Sequence, residues 1–135
     1  MKTRHFFLLL FVPVFALFGF KSSEGDTDQE DKDYNECVEK VESKWGEPCS
    51  GCNVYNNSFR LIVKNTCDEA IDVQIAVQNK NNKWQVYYKY NMAPDDTLTT
   101  WACNGKGNWM SWARQAGDLQ IEFYNEYQIN SIYKD

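Results

Sequence analysis

The chain has one histidine, His5, and none after the apolar segment near its start. That scarcity removes the commonest general base and metal ligand, so Ser-His-Asp and Cys-His mechanisms have no members here. No G-x-x-x-x-G-K phosphate loop occurs. There is no basic stripe either, so binding to nucleic acid has little electrostatic support. The ligand spacing of a calcium loop is also missing. Of the five cysteines only Cys49 and Cys52 form a C-x-x-C pair, one knuckle where a four-cysteine zinc site shows two. No metal or cofactor is expected, and the residues point to a protein that is not an enzyme.

Only one long apolar run exists, residues 6–20, preceded by Lys2, Arg4 and His5. The run has the length of a signal-peptide core and is short for a membrane span. Residues 1–20 are therefore expected to be a signal peptide, although no A-x-A cleavage pattern follows. Any membrane association would come only through this segment left uncleaved. With cysteines at 37, 49, 52, 67 and 103, the expected location is secreted or periplasmic, where disulfides persist.

Charge is unevenly spread. From residue 21 to 52 there are ten acids against four lysines, whereas residues 53–135 carry nine acids and eight bases. Residues 21–33 are acidic and aperiodic and read as a disordered linker. In residues 34–52, Tyr34, Cys37, Val38, Val41 and Trp45 recur at three- and four-residue steps, the stripe of an amphipathic helix. Gly46 and Pro48 end it, and a cysteine-containing loop follows.

Residues 53–135 read as a β-domain. Alternating apolar residues mark strands near 59–64, 71–78, 84–90 and 119–124, and the stretches 98–103 and 108–114 between turns read as two more. Polar turns at 79–83, 93–96, 104–107 and 117–118 separate them. The expected fold class is mainly β, a small antiparallel β-sandwich of about six strands with one N-terminal amphipathic helix alongside.

Five cysteines permit at most two intramolecular bridges and leave one thiol over. Cys67 with Cys103 is the preferred pair, because both lie at strand ends. Cys37 with Cys49 or Cys52 is the second, and Cys49 with Cys52 competes with it. A C-x-x-C redox motif opens a helix after a strand, and this one follows a helical pattern instead.

Aromatic residues supply the candidate site. In a strand, residues three apart point to opposite faces, so Trp109 and Trp112 cannot share the core. Tyr87, Trp112, Arg114, Glu122 and Tyr124 fall on the faces opposite the assigned core residues. They form a candidate ligand or partner face, suited to stacking a sugar ring or anchoring a protein. The N-terminal helix is the competing cover for that face. Trp101, next to Ala102 and Cys103, is expected to pack on a disulfide.

Asn65-Thr66-Cys67, Ile71-Asp72-Val73, Trp84, Ala93-Pro94, Ala102-Cys103-Asn104-Gly105-Lys106-Gly107, Trp112-Ala113-Arg114 and Gly117-Asp118 together resemble small secreted bacterial β-sandwich proteins of unassigned function. The resemblance spans about residues 53–123 and implies architecture and export, without an activity or catalytic residues. Three functional classes follow. The first is a secreted, disulfide-stabilised, non-enzymatic module that binds a polysaccharide or an envelope protein. The second is a thiol–disulfide oxidoreductase using Cys49 and Cys52, and the third a secreted inhibitor or assembly subunit.

Overall fold

The computed structural model describes residues 31–54 and 56–134. The signal peptide and most of the acidic linker expected from the sequence lie outside them. A single 3₁₀ turn, Tyr34–Cys37, leads into six strands. These are β1 (Val38–Trp45), β2 (Phe59–Asn65), β3 (Ile71–Asn79), β4 (Trp84–Met92), β5 (Thr97–Ala102) and β6 (Gly105–Gln115). A short helix, α1 (Glu126–Ile132), follows. The strands make two antiparallel three-stranded sheets, ordered β1-β2-β5 and β4-β3-β6.

Both sheets contribute to one apolar cluster. Phe59, Leu61 and Val63 of β2 pack with Ile71, Val73, Ile75 and Val77 of β3, together with Met92, Ala102 and Ala113. The strict alternation of β2 is reproduced in its burial: Phe59, Leu61, Val63 and Asn65 are buried and the residues between them are partly open. β3 differs because Ile71 to Gln78 are all buried, on both faces. Its inner face joins the shared cluster. On its outer face, Asp72 and Gln78 are bonded to β6 side chains, and Gln74 and Ala76 are covered by the chain after β6.

That cover replaces the expected N-terminal helix. Residues 38–45 form an edge strand paired with β2, and the three-residue step from Val38 to Val41 ends at a register shift between Lys40 and Glu42. A bulge inserts one residue into a period-two strand and so imitates helical spacing. The apolar stripe is not a buried face, since Val41 and Trp45 are 56% and 52% exposed. Trp45 instead lies against Phe59, ring centroids 4.9 Å apart, and over Gly107.

Residues 119–124 do not form a strand. They cross the outer face of the second sheet without joining its ladder and lead into α1. Asn125 caps that helix: its side chain accepts from the Gln128 backbone N–H, and the Gln128 side chain accepts in return from the Asn125 N–H. Ile129 is fully buried against Ala76 and Trp84, with Val86, Met110, Trp112 and Tyr133 around them. The Asn130 side chain accepts from the Trp84 N–H at 2.8 Å and donates to the Trp84 carbonyl at 2.9 Å, which closes the start of edge strand β4.

Residues 104–107 are not a hairpin turn. Cys103 and Asn104 carry the chain from one sheet to the other, and β6 starts at Gly105. The Gly105 N–H donates to the Asn57 carbonyl at 2.8 Å, and a Cβ at this position would overlap Phe59 Cβ. Gly105→Ala should therefore destabilise the domain by about 1–3 kcal/mol. Chemical denaturation against Ser43→Ala, an exposed β1 change expected to stay within about 0.5 kcal/mol, measures the difference. Equal midpoints for the two variants would contradict the close approach.

Candidate functional site

The outer face of the β4-β3-β6 sheet is organised around a buried ion pair. Asp72 and Arg114 are cross-strand partners on β3 and β6, and their side chains are 4% and 8% exposed. Arg114 Nε donates to Asp72 Oδ2 at 3.0 Å. The same carboxylate accepts from the Asn91 N–H at 2.9 Å and the Gly117 N–H at 3.2 Å. Arg114 Nη1 donates onward to the Ile121 carbonyl. The Phe123 ring sits 4.6 Å from the guanidinium carbon, in cation–π contact. One pair thus ties β3, β6, the end of β4 and the segment after Gly117 together.

Burial pushes the Asp72 carboxyl pKa upward. The Asn91 and Gly117 amides and the Arg114 guanidinium outweigh it and hold the group below its ordinary value of 3.8. A carboxyl whose pKa falls on folding contributes stability above its unfolded pKa and loses it as pH drops through the folded value.

On this framework the candidate residues separate. Trp112, Glu122 and Tyr124 line one cleft of about 210 Å³ with Tyr34 and Gln74. Arg114 and Glu122 line the neighbouring groove with Tyr88, Tyr90, Phe123 and Asn125. Tyr87 is on the other side of the sheet, where its hydroxyl donates to the Trp101 carbonyl of β5 at 2.7 Å. The core side of β4 is therefore the reverse of the sequence assignment. Tyr87 faces inward opposite Ile75, while Tyr88 opposes Gln74 on the outer face. Arg114 is structural, and Trp112 packs against Tyr133 at 5.9 Å. Trp101 lies beneath Arg60, whose guanidinium carbon is 5.6 Å from the ring centroid.

Tyr88 and Tyr90 form the more open aromatic surface. Their rings are nearly parallel, 4° apart in tilt with centroids 6.2 Å apart. Tyr90 is 59% exposed, and Phe123 stands 6.5 Å from it. The Tyr88 hydroxyl donates to the Tyr124 carbonyl at 2.9 Å, which fixes that ring. Two residues after Tyr88 on one strand reach the same face, and the β4 register shifts between Lys89 and Met92, with Asn91 at φ 51°.

The cysteines form two groups at opposite ends of the β1-β2-β5 sheet. Val38 pairs with Asn65, which sets Cys37 beside Cys67, and these two are bonded with Cα atoms 5.1 Å apart. The expected Cys67–Cys103 bridge is absent for a geometric reason. Ala102 pairs with Phe59 at the start of β2, whereas Cys67 follows its end at Asn65. At about 3.3 Å per residue the two cysteines are held roughly 20 Å apart. Cys103 instead meets Cys49 and Cys52 in the loop before β2. The three sulphurs lie within 4.8 Å of one another. The expected link from Cys37 to Cys49 or Cys52 is ruled out by the same registers. Among the described residues no fourth acid, histidine or cysteine joins this trio.

No protein-family model matches the chain, and neither a curated protein nor a solved structure matches it significantly.

The ion pair gives a direct test. The wild-type unfolding free energy should fall as pH drops below about 4. Asp72→Asn should lower stability at neutral pH by about 3–5 kcal/mol, because it strands a buried guanidinium. It should also flatten the acid slope. Glu42 and Asp96, lowered by hydrogen bonds from Lys44 and Lys89, keep a residual slope in the variant. Denaturant titrations across pH measure both effects, and superimposable slopes for wild type and variant would contradict the assignment.

Proposed function

We propose that the protein is an exported, non-enzymatic module that binds an extended polysaccharide in the Tyr88–Tyr90–Phe123 groove. In this reading the two sheets pack as a β-sandwich and the outer face of the second one carries the ligand. The observation that carries it is the pair of nearly parallel tyrosine rings, centroids 6.2 Å apart, with Tyr90 open to solvent. Adjacent parallel rings suit the apolar C–H faces of a sugar chain. Glu122 and Asn125 line the same groove and offer hydrogen-bonding partners for hydroxyls.

Binding is favoured over cleavage by the carboxylate inventory. Glycoside hydrolysis uses two carboxyl groups across the scissile bond. Glu122 is the one acid lining this groove among the described residues, and nearby Asp72 is committed to Arg114 and two amides. Export is supported by the Cys37–Cys67 bond and by the basic-then-apolar pattern of residues 1–20. No described helix is long and apolar enough to cross a membrane.

Affinity electrophoresis of the purified chain through gels containing soluble polysaccharides tests the reading. At least one polymer should retard the wild type. Tyr90→Ala should weaken that binding by about tenfold, ~1.4 kcal/mol, and keep stability within about 0.5 kcal/mol. Absence of retardation by any neutral or charged polymer, or equal retardation of the variant, would overturn it.

A further inference from the structure

We propose that Cys49, Cys52 and Cys103 form a thiol–disulfide exchange site, in which Cys52 alternates between two partners and the displaced thiol accepts a small external disulfide. The inference is independent of the aromatic groove. Cys52 is within disulfide geometry of both neighbours, with Cα–Cα separations of 5.6 Å to Cys49 and 5.4 Å to Cys103. The two outer sulphurs are themselves 3.8 Å apart. A cysteine sulphur makes one bond beyond its Cβ, so only one of the two bridges exists at a time. The third cysteine is then a thiol held against a disulfide.

Local structure keeps the three together. The Cys52 N–H donates to the Cys49 carbonyl at 3.3 Å and closes the loop as a turn. Cys103 is fixed by Ala102 at the end of the β5 ladder. All three cysteines are half-buried and reachable, whereas Cys37, in the other bridge, is fully buried. The chain thus separates a disulfide with one fully buried sulphur, Cys37, and one half-buried, Cys67, from a trio in which every cysteine is half-buried.

The internal step is balanced without an oxidant. The Cys103 thiol gives its proton to water, and its thiolate attacks Cys52 Sγ. The Cys49–Cys52 bond breaks, its electron pair leaves on Cys49, and Cys49 takes up a proton. The external step follows the same chemistry. A free thiolate attacks one sulphur of a low-molecular-weight disulfide of the cystine type, forms a mixed disulfide and releases the other half as a thiol. Because the thiolate is the attacking species, both steps quicken as pH rises toward the thiol pKa.

The full chain is purified without reductant, incubated with glutathione disulfide, acid-quenched and digested with trypsin unreduced. Cleavage after Lys44, Arg60, Lys89 and Lys106 leaves Cys49 and Cys52 in one peptide, residues 45–60, and Cys103 in another, residues 90–106. Two adducts are expected by mass spectrometry. One carries glutathione on Cys103 with peptide 45–60 bridged to itself; the other carries it on Cys49 with the two peptides joined. Cys49→Ser and Cys103→Ser each fix one bridge, so both should lose the adduct while keeping the wild-type circular dichroism. An adduct confined to one cysteine, no adduct on the folded wild type, or undiminished uptake by either variant would overturn the proposal. So would conversion of the trio into covalent dimers in place of the adduct.

Discussion

The buried pair of Asp72 and Arg114 is the interaction on which the rest of the outer face depends. A charged pair this deep is stable only when its remaining hydrogen-bonding capacity is met. Here two backbone amides and one backbone carbonyl meet it. Those partners belong to three different parts of the chain: the end of β4, the turn at Gly117 and the segment that crosses the sheet. The pair therefore fixes where Phe123 lies, and Phe123 with Tyr88 and Tyr90 defines the groove. Removing one charge would leave the other buried and also release the strap that shapes the candidate site.

The same arrangement explains why β3 has no solvent face. Its alternation, Ile71, Val73, Ile75, Val77 against Asp72, Gln74, Ala76, Gln78, is that of a strand with one wet side. The polar set is instead engaged. Asp72 holds Arg114, Gln74 Nε2 donates to the Tyr124 carbonyl, and Gln78 Oε1 accepts from Asn108. Ala76 is small enough for Ile129 to seat over it. Residues 119–134 thus add a layer that the periodicity of β3 could not disclose.

Much of the β-structure was legible, because β2, β3 and β4 each carry a period-two pattern and β5 and β6 lie between turn residues. Three features were obscured by local signals that imitate something else. The bulge in β1 gave an edge strand the spacing of a helix. Leu119, Ile121 and Phe123 alternate as a strand does, but Arg114 captures the Ile121 carbonyl and the segment crosses the face of the sheet outside its ladder. The helix after them had a readable start, Asn125 with Gln128 three residues on, a capping box that the run of strands masked. At the site, Trp112, Glu122 and Tyr124 line one cleft, whereas Tyr87 faces the core and Tyr88 the outer face, the reverse of the sequence reading. An aromatic-rich strand such as Trp84-Gln85-Val86-Tyr87-Tyr88-Lys89-Tyr90 has apolar character on both faces, so composition alone does not say which is the core. The cysteine pairing needed the strand register, which places Cys103 beside the loop before β2 and away from Cys67.

Amide hydrogen exchange in the native protein tests the central claim most directly. If the ion pair anchors the strap, the Asn91 and Gly117 amides exchange slowly in the wild type, as core amides do. In Arg114→Met both should exchange rapidly, along with those of residues 118–124, while amides in the β2–β5 ladder stay protected. Uniform acceleration across both sheets, or an unchanged rate at Asn91 and Gly117, would contradict it.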